Sequence, residues 1–245
     1  MTTESSPIVV QRVEDLKDLA AVHALEREIW GGDDLVPVSL LRVIAIEGGH
    51  VLVARHRDQV EPVGMAVAFI GRRGQQWYLH SHMVAVKAAF RSMAVGRLLK
   101  EHQLAYARST GLDYVGWTFD PLQRRNAQFN LNVVGAIATA FYENFYGSLD
   151  DRINGGFATH RLFVEWNGTR VPKREGRFVA VPDDISWLRV DHPERARAWA
   201  ERHRRKWERL TQGGFAAVAL VPGRWGLWFY RLQQIAREGK GDYAN

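Results

Sequence analysis

Three apolar segments in succession, followed by an amphipathic helix, constrain the fold of this chain more than any other feature. The segments read "HVLVARH", "VGMAVAFIG" and "WYLHSHMVAV" at residues 50–56, 63–71 and 77–86, with polar turns between them. Short apolar runs bounded by turn residues are typical of β-strands. From about Ala94 the apolar spacing becomes helical, and Gly111 marks the end of that helix. The pattern predicts strands that lead directly into a helix.

The flanking segments extend this pattern into an α/β fold. Including them, the element order is βααβββαβαββ, which predicts a mixed seven-stranded sheet flanked by helices. The helix after the fifth strand is expected to open at Asp120-Pro121, because proline is favoured in a first helical turn. A further strand, a basic helix and two more strands predict a small α+β extension. We therefore expect a main domain at residues 1–167 and an extension at 168–245 that packs on it.

The composition is that of a soluble globular protein, with 46% hydrophobic and 24% charged residues among 245. The chain has no cysteine, which excludes disulfides and thiolate metal sites and fits a reducing compartment. The opening residues "MTTESSPIVV" lack the regions of a signal peptide, and no apolar run is long enough to span a bilayer. We expect a cytoplasmic protein without a membrane partner. The net charge of +6 favours a phosphorylated cofactor, an acidic substrate or nucleic acid.

The turn between the strand at residues 77–86 and the helix after it is a candidate anion site. The unpaired N–H groups and the positive dipole end of a helix attract phosphate. In "VKAAFRSMAVGRLLK" the strand ends at Val86, Arg91 lies in the turn, and Arg97 lies in the first helical turns. Such a loop can wrap a pyrophosphate with successive N–H groups. The same pattern also occurs as a plain connection between a strand and a helix.

These residues resemble the acyl-CoA-binding region of the Gcn5-related N-acetyltransferase (GNAT) superfamily. There an Arg/Gln-x-x-Gly-x-Gly/Ala loop opens the central helix; here residues 91–96 read "RSMAVG", with Ala94 in place of the first glycine. "LHSHMVAV", "WTFDPLQRRNAQFNLN", "YENFYG" and "HRLFVEW" are similar to a bacterial subfamily of acetyltransferases with a C-terminal extension. The resemblance implies a GNAT-like acyl-CoA N-acyltransferase fold. It also implies acetyl-CoA or another acyl-CoA as co-substrate, and no metal.

The resemblance further implies which residues contact the co-substrate. The backbone of residues 83–86 would pair with the pantetheine arm like an added strand, and the loop with the first helical turn would hold the pyrophosphate. Two asparagines of the next helix are further candidates, with solvent exposure as the alternative. The predicted cofactor-binding residues are Met83, Val84, Val86, Arg91, Ser92, Met93, Ala94, Val95, Gly96, Arg97, Asn126 and Asn130. Ser92 and Ala94 can present their N–H groups if both are right-handed helical.

His80 and His82 are the candidate bases. Residues two apart in a strand share a face, so both are expected on the side of Val84 and Val86. An amine must lose a proton before or during its attack on an acyl carbon, and an imidazole with a pKa of about 6.5 is suited to accept it. Arylalkylamine N-acetyltransferase, within the superfamily, carries a matching His-x-His. The alternative is that one or both histidines hold loops through hydrogen bonds.

The general acid is less evident than the base. Many members of the superfamily place a tyrosine late in the helix that follows the fifth strand, and the matching position here is Leu131, which cannot donate a proton. Tyr142 or Tyr146, from the following strand, can substitute, and we assign Tyr142. The alternative role of both tyrosines is packing.

The predicted function is transfer of an acetyl or succinyl-like group from CoA to a small amine or amino acid, by direct attack in a ternary complex. No covalent acyl-enzyme is expected, because the chain lacks cysteine and has no serine in a nucleophile elbow. One alternative is a non-catalytic acyl-CoA-binding regulatory domain, which Ala94 and Leu131 both permit. Another is a nucleic-acid-binding module that uses the basic helix at residues 192–211, although a solvated basic face explains that helix too. The acceptor and the oligomeric state, a homodimer included, stay open.

Overall fold

The computed structural model describes residues 6–31, 35–147, 156–172, 175–223 and 227–235. These residues form ten strands and six α-helices, with a 3₁₀-helical segment at Ala88–Met93 and a π-helical segment at Gln128–Val134. The strands are β1 (Ile8–Arg12), β2 (His50–His56), β3 (Pro62–Arg73), β4 (Gln76–Val86), β5 (Val115–Phe119), β6 (Ile137–Tyr142), β7 (Arg161–Trp166), β8 (Arg177–Pro182), β9 (Phe215–Pro222) and β10 (Leu227–Gln234). The helices are α1 (Leu16–Trp30), α2 (Val38–Ile46), α3 (Val95–Ser109), α4 (Arg124–Ala127), α5 (Ile185–Asp191) and α6 (Pro193–Gln212). The chain divides between Val115 and Gly116 into two compact units.

The first unit is built on β1, β2, β3 and β4, which are neighbours in that order and antiparallel. Side chains alternate across the strands, so that both faces of this sheet are apolar. On one face, α1 and α2 bury Leu19 and Leu41 against Met65 and other residues of the strands. On the other face, α3 packs through Val95 and Leu99. We call these the α1–α2 face and the α3 face.

The second unit has its strands in the order β5, β7, β6, β9, β10, β8. β9 meets β6 through the pair Ala138 and Ala217. The side chain of Asn132, in the π-helical segment, adds two hydrogen bonds to the backbone of Leu220, at 2.7 and 3.1 Å. The predicted number of seven strands is therefore wrong, because the three strands beyond residue 168 join the sheet of β6 and bring the total in the described ranges to ten. The division into domains at residues 167 and 168 stays a prediction.

The helix expected at Asp120-Pro121 begins later than predicted. A carboxylate oxygen of Asp120 accepts the N–H of Leu122 at 2.8 Å, which forms a turn, and α4 begins only at Arg124. After Ala127 the backbone continues as a π-helix, which Gly135 ends at φ 87°. One helix, α5, was not predicted; it begins after Asp184, whose carboxylate accepts the N–H of Trp187 at 3.0 Å.

The basic helix α6 is anchored by a buried histidine. His203 Nδ1 accepts the indole N–H of Trp207 at 3.2 Å, so its Nε2 carries the proton and donates it to the carbonyl of Ala180 at 2.6 Å. Burial lowers the pKa of His203 to about 4. The hydrogen bond to Ala180 raises this pKa, but by less than burial lowers it. His203 is therefore a neutral structural residue. Within the described ranges, no helix combines the length and apolarity needed to cross a membrane.

Candidate active site on β4 and α3

β4 carries both candidate bases at a break in its regular pairing. Val67 of β3 pairs with Met83, and the next residue, Ala68, pairs with Ser81. His82 is thus an extra residue in β4, which is a β-bulge. An extra residue shifts the alternation of faces by one position, so the face of each side chain has to be read from its contacts.

Those contacts correct the predicted faces. Val84 and Val86 pack on the α3 face, and Ser81 joins them there, where its hydroxyl accepts a hydrogen bond from Lys100 of α3. His80 instead pairs with Phe69 and stacks on its ring. Phe69 has the same orientation in β3 as Met65 and Val67, which belong to the α1–α2 core. The prediction that the two histidines share a face with Val84 and Val86 is wrong, because the bulge separates them.

The imidazole of His80 is held on several sides. Its centroid lies 5.0 Å from that of Phe69 at an interplanar angle of 29°. Its Nδ1 lies 3.3 Å from Tyr78 Oη, within hydrogen-bond reach. The pKa of His80 is lowered to about 4, mainly by burial and then by the positive charges of His82, Lys100 and Arg73. His80 is therefore a neutral imidazole at physiological pH.

His82 is exposed at the bulge and lies beside His80. The two ring centroids are 6.2 Å apart, and His82 also contacts Phe69 at 5.8 Å.

The loop after β4 has an unusual backbone. The 3₁₀ segment ends at Met93, and α3 begins at Val95, with Ala94 between them at φ 56° and ψ 16°. Ala94 does not meet the condition of a right-handed helical backbone, because it lies in the left-handed region that glycine occupies more readily. Alanine has no side chain that can cap α3, and the described residues supply no other side-chain cap. The first N–H groups of α3 are left for solvent or a ligand.

The other predicted cofactor residues surround this loop. Arg91 reaches back to the carbonyl of Val86 at 3.4 Å, and Arg97 pairs with Glu101 at 2.8 Å. Ser92 and Arg97 are exposed, whereas Met93 and Gly96 are partly buried. Val95 is fully buried, so that only its backbone is available to a ligand. The strand residues Met83, Val84 and Val86 are partly buried, with Met83 on the α1–α2 face.

A buried lysine under β4 was not predicted. Lys100 of α3 is 2% exposed, and its Nζ donates to Ser81 Oγ at 2.8 Å. Burial lowers its pKa well below the usual value. The sequence did contain a signal, since Lys100 falls at helical spacing from Leu104 and Ala107, which are both buried on α3.

The remaining predicted site residues belong to the second unit. Asn126 is exposed on α4. Asn130 is 4% exposed, and its amide oxygen accepts the indole N–H of Trp117 at 3.1 Å. Leu131 is buried, and Tyr142 is half-buried on β6, 5.1 Å from the ring of Phe145. The geometry gives Asn130 a structural contact, and the roles predicted for Asn126, Asn130 and Tyr142 stay predictions.

Residues 19–129 match the Acetyltransferase (GNAT) family. This segment is a GNAT acetyltransferase domain. It contains His80, His82, the 3₁₀ loop and the whole of α3, so the candidate site lies inside the matched part. The match confirms the predicted family and the enzyme class, N-acetyltransferase. The bacterial subfamily stays a prediction.

Solved structures share the fold over about two thirds of this chain. Arabidopsis thaliana NAA60 in complex with acetyl-CoA is similar at a TM-score of 0.53 and 12% identity, over 65% of this chain and 98% of that one. Arabidopsis thaliana Naa50, in complex with the bisubstrate analogue CoA-Ac-MVNAL, is similar at a TM-score of 0.50 and 15% identity, over 65% and 97%. A putative acetyltransferase of the GNAT family from Desulfovibrio desulfuricans has a TM-score of 0.50 and 14% identity, over 66% and 99%. Comparison with curated protein sequences finds no significant match. The α/β GNAT-like fold predicted from the sequence is confirmed.

Proposed function

We propose that this protein transfers an acetyl group from acetyl-CoA to a primary amine, with His80 as the proton acceptor. The observation that carries the proposal is the neutral, half-buried imidazole of His80 on β4, the strand that leads into the uncapped N-terminus of α3. Matching structures with acetyl-CoA or a CoA conjugate support CoA as co-substrate. Both parts of the site lie within the GNAT domain.

The first turn of α3 and the loop before it have the features of an anion-binding site. The first turn of α3 offers N–H groups without a side-chain cap, at the positive end of a helix of 15 residues. Arg91, which is exposed in the loop before the helix, adds a positive charge next to it. We propose that residues 91–97 hold the pyrophosphate and that the backbone of residues 83–86 pairs with the pantetheine arm.

The chemistry follows from the protonation state of His80. The lone pair of the neutral amine forms the new C–N bond at the thioester carbonyl, and a β4 backbone N–H stabilises the negative charge that develops on the oxygen. The proton of the attacking nitrogen passes to His80, the C–S bond breaks, and CoA leaves as a thiolate that takes up a proton. Because the pKa of His80 is about 4, its imidazolium gives the proton up readily, and we propose that exposed His82 passes it to solvent.

Tyr142 is the proposed donor to the thiolate. A tyrosine hydroxyl can donate a hydrogen bond or a proton, which suits this role. The position that often carries this tyrosine in the superfamily is occupied here by buried Leu131. A Tyr142→Phe variant that loses no activity would leave solvent as the proton source.

The acceptor is proposed to be a small amine or an amino acid, and the acyl group an acetyl or succinyl group. The bisubstrate analogue in the Naa50 structure contains the peptide sequence MVNAL, so a peptide N-terminus has to be tested beside the small amines as an acceptor. We also propose a cytoplasmic location, with which the absence of cysteine agrees. An acyl-CoA-binding domain without turnover is the second candidate, and buried Leu131 is the observation that favours it.

A thiol-release assay tests the proposal directly. Acetyl-CoA and succinyl-CoA are each offered with a panel of amines, amino acids and a peptide, and free CoA is measured. We expect His80→Ala to lower kcat by about 10²–10⁴-fold, the usual contribution of acid–base catalysis, without loss of acyl-CoA binding. Thermal stabilisation by acyl-CoA with no turnover on any acceptor would favour the binding domain. Full activity of both His80→Ala and His82→Ala between pH 6 and 9 would refute the assignment of the base.

A further inference from the structure

The phenol of Tyr78 contacts the Nδ1 atom of His80. Tyr78 lies two positions earlier in β4 on the same face, and its Oη is 3.3 Å from His80 Nδ1. Tyr78 is 8% exposed, so this contact is largely shielded from bulk water. The predictions from sequence gave Tyr78 no role.

The ring of Tyr78 is fixed by its two neighbours. Gly71 pairs with it across the β3–β4 hairpin, and a Cβ at Gly71 would lie 2.8 Å from Tyr78 Cζ and 3.1 Å from its Oη. The Tyr78 ring thus occupies the space that a side chain at position 71 would fill. Tyr114 stacks on Tyr78, with centroids 5.0 Å apart and an interplanar angle of 10°. A ring held in this way keeps its hydroxyl at a defined position against His80.

The position of that hydroxyl matters because an imidazole has two distinct nitrogens. A neutral histidine accepts a proton only at the nitrogen that carries no hydrogen, and the hydrogen bond made by the other nitrogen selects the tautomer. In His80 the nitrogen next to Tyr78 is Nδ1. If Nδ1–H donates to the phenol oxygen, the lone pair is on Nε2, and the same bond persists after Nε2 takes up a proton.

We propose that Tyr78 is a positioning residue that holds His80 in the Nδ1–H tautomer and so makes Nε2 the proton acceptor. This inference rests on the proposed function of His80 as the base. Phe69 supports the arrangement, since it stacks on the face of the His80 ring and limits its rotation. The charged groups near His80 are His82 on its own strand, Arg73 on β3 and Lys100 on α3.

Nitrogen NMR of the imidazoles tests the tautomer without any need for turnover. In protein labelled with ¹⁵N-histidine, His80 should show a protonated Nδ1 and an unprotonated Nε2 at pH 7. The Tyr78→Phe variant keeps the ring and removes the hydroxyl, and it should shift His80 toward the Nε2–H form. Gly71→Ala should cause the same shift with the hydroxyl still present, because the added Cβ displaces the ring of Tyr78. Tyr106→Phe is the control, since Tyr106 lies on α3 and its phenol donates to the carbonyl of Gly48.

Kinetics supply the second measurement. We expect Tyr78→Phe to lower kcat roughly ten- to hundredfold, part of what acid–base catalysis contributes, with KM for acetyl-CoA unchanged and the acid limb of the pH profile displaced. An Nε2–H tautomer in the unmodified protein, or an unchanged His80 spectrum in Tyr78→Phe, would overturn the inference. If the unmodified protein shows no turnover, the proposed function fails, while the spectra still decide the role of Tyr78.

Discussion

Val95 of α3 lies so close to Gly64 of β3 that no side chain fits at position 64 without a shift of the surroundings. A Cβ on Gly64 would lie 2.9 Å from Val95 Cγ1 and 3.0 Å from the carbonyl oxygen of Ala85. Real Cβ atoms do not approach their neighbours this closely without a shift of the surroundings. The absence of a side chain therefore sets how near the first turn of α3 lies to the sheet.

Gly64→Ala is predicted to destabilise the protein and to weaken acyl-CoA binding. The added methyl group has to push the start of α3 outward, and overpacking of this kind costs about 1–3 kcal/mol. Chemical unfolding measures the first effect, and calorimetric titration with CoA measures the second.

The control for Gly64→Ala is Gly111→Ala. Gly111 has φ 72° with no atom within 4 Å of a built Cβ, so alanine there strains the backbone without moving α3. The affinity of the Gly111→Ala variant for CoA should be unchanged. Equal loss of affinity in both variants would mean that reduced stability alone is responsible.

Ala94→Gly is predicted to stabilise the protein. Ala94 holds a left-handed conformation at φ 56°, which is unfavourable for a residue with a Cβ and costs about 1 kcal/mol. Glycine relieves that cost, although its freer unfolded chain offsets part of the gain. We expect a net rise in unfolding free energy of about 0.5 kcal/mol and unchanged or tighter CoA binding.

The matched control for Ala94→Gly is Ala89→Gly, within the preceding 3₁₀ segment, where the backbone has no positive φ. It should destabilise the protein slightly. A similar loss of stability in Ala94→Gly would show that position 94 is not strained in solution.

His82→Ala is predicted to raise the pKa of His80. The positive charge of His82 is the second cause of the low value in His80, after burial. Because burial remains, the pKa of His80 should move up from about 4 but stay below the usual 6.5. NMR titration of His80 in the two proteins measures the shift, and a lower value in the variant would contradict the expected direction.

The protein is predicted to lose stability as the pH falls from about 6.5 toward 4. His50, His80 and His203 each have a pKa lowered to about 4 by burial, so in this window the unfolded chain binds more protons than the folded one. Each such histidine adds a slope of up to about 1.4 kcal/mol per pH unit, with stability higher at higher pH. Urea unfolding at several pH values measures the slope. His203→Leu should reduce the slope while lowering overall stability, and an unchanged slope would argue against a buried neutral His203.

Lys100→Met is predicted to stabilise the protein by about 1 kcal/mol, because an apolar side chain avoids the cost of burying an amine. The folded pKa of Lys100 is lowered well below that of the unfolded chain, so Lys100 makes stability rise with pH up to the unfolded pKa. The variant should lose this contribution. Lys87→Met is the control, since Lys87 pairs with Glu28 at a partly exposed site and should change stability little. A large loss of stability in Lys100→Met would mean that its hydrogen bonds outweigh its burial.

The sequence predicted the kinds of element well because periodicity reports which side of an element is buried. The strand at 50–56 and the helix that begins near residue 94 occur where the apolar spacing indicated. The strand count for the sheet was wrong because periodicity does not reveal which strands pair. The contacts between β6 and β9 depend on residues almost 80 positions apart.

Within the candidate site, the sequence predicted the strand and helix that carry each residue better than it predicted the orientation of the side chains. His80 and His82 could be selected from their chemistry and their strand, but the strict two-residue period carried no trace of the bulge at His82. The left-handed turn at Ala94 was equally hidden, because alanine rarely adopts it and only the surrounding loop imposes it. The contact of Tyr78 with His80 was not predicted, because the position of the Tyr78 ring depends on Gly71, which lies across the hairpin.

The pairing of β9 with β6 has a practical consequence for shortened versions of this protein. A chain cut after residue 167 would leave the hydrogen-bonding groups of β6 at Ala138 and the side chain of Asn132 without their partners on β9. The hydrogen bond of 2.6 Å that the hydroxyl of Tyr230 donates to the carbonyl of Pro121 would also be lost. An exposed strand edge of this kind recruits other chains. Truncation after residue 167 should therefore yield aggregates during expression.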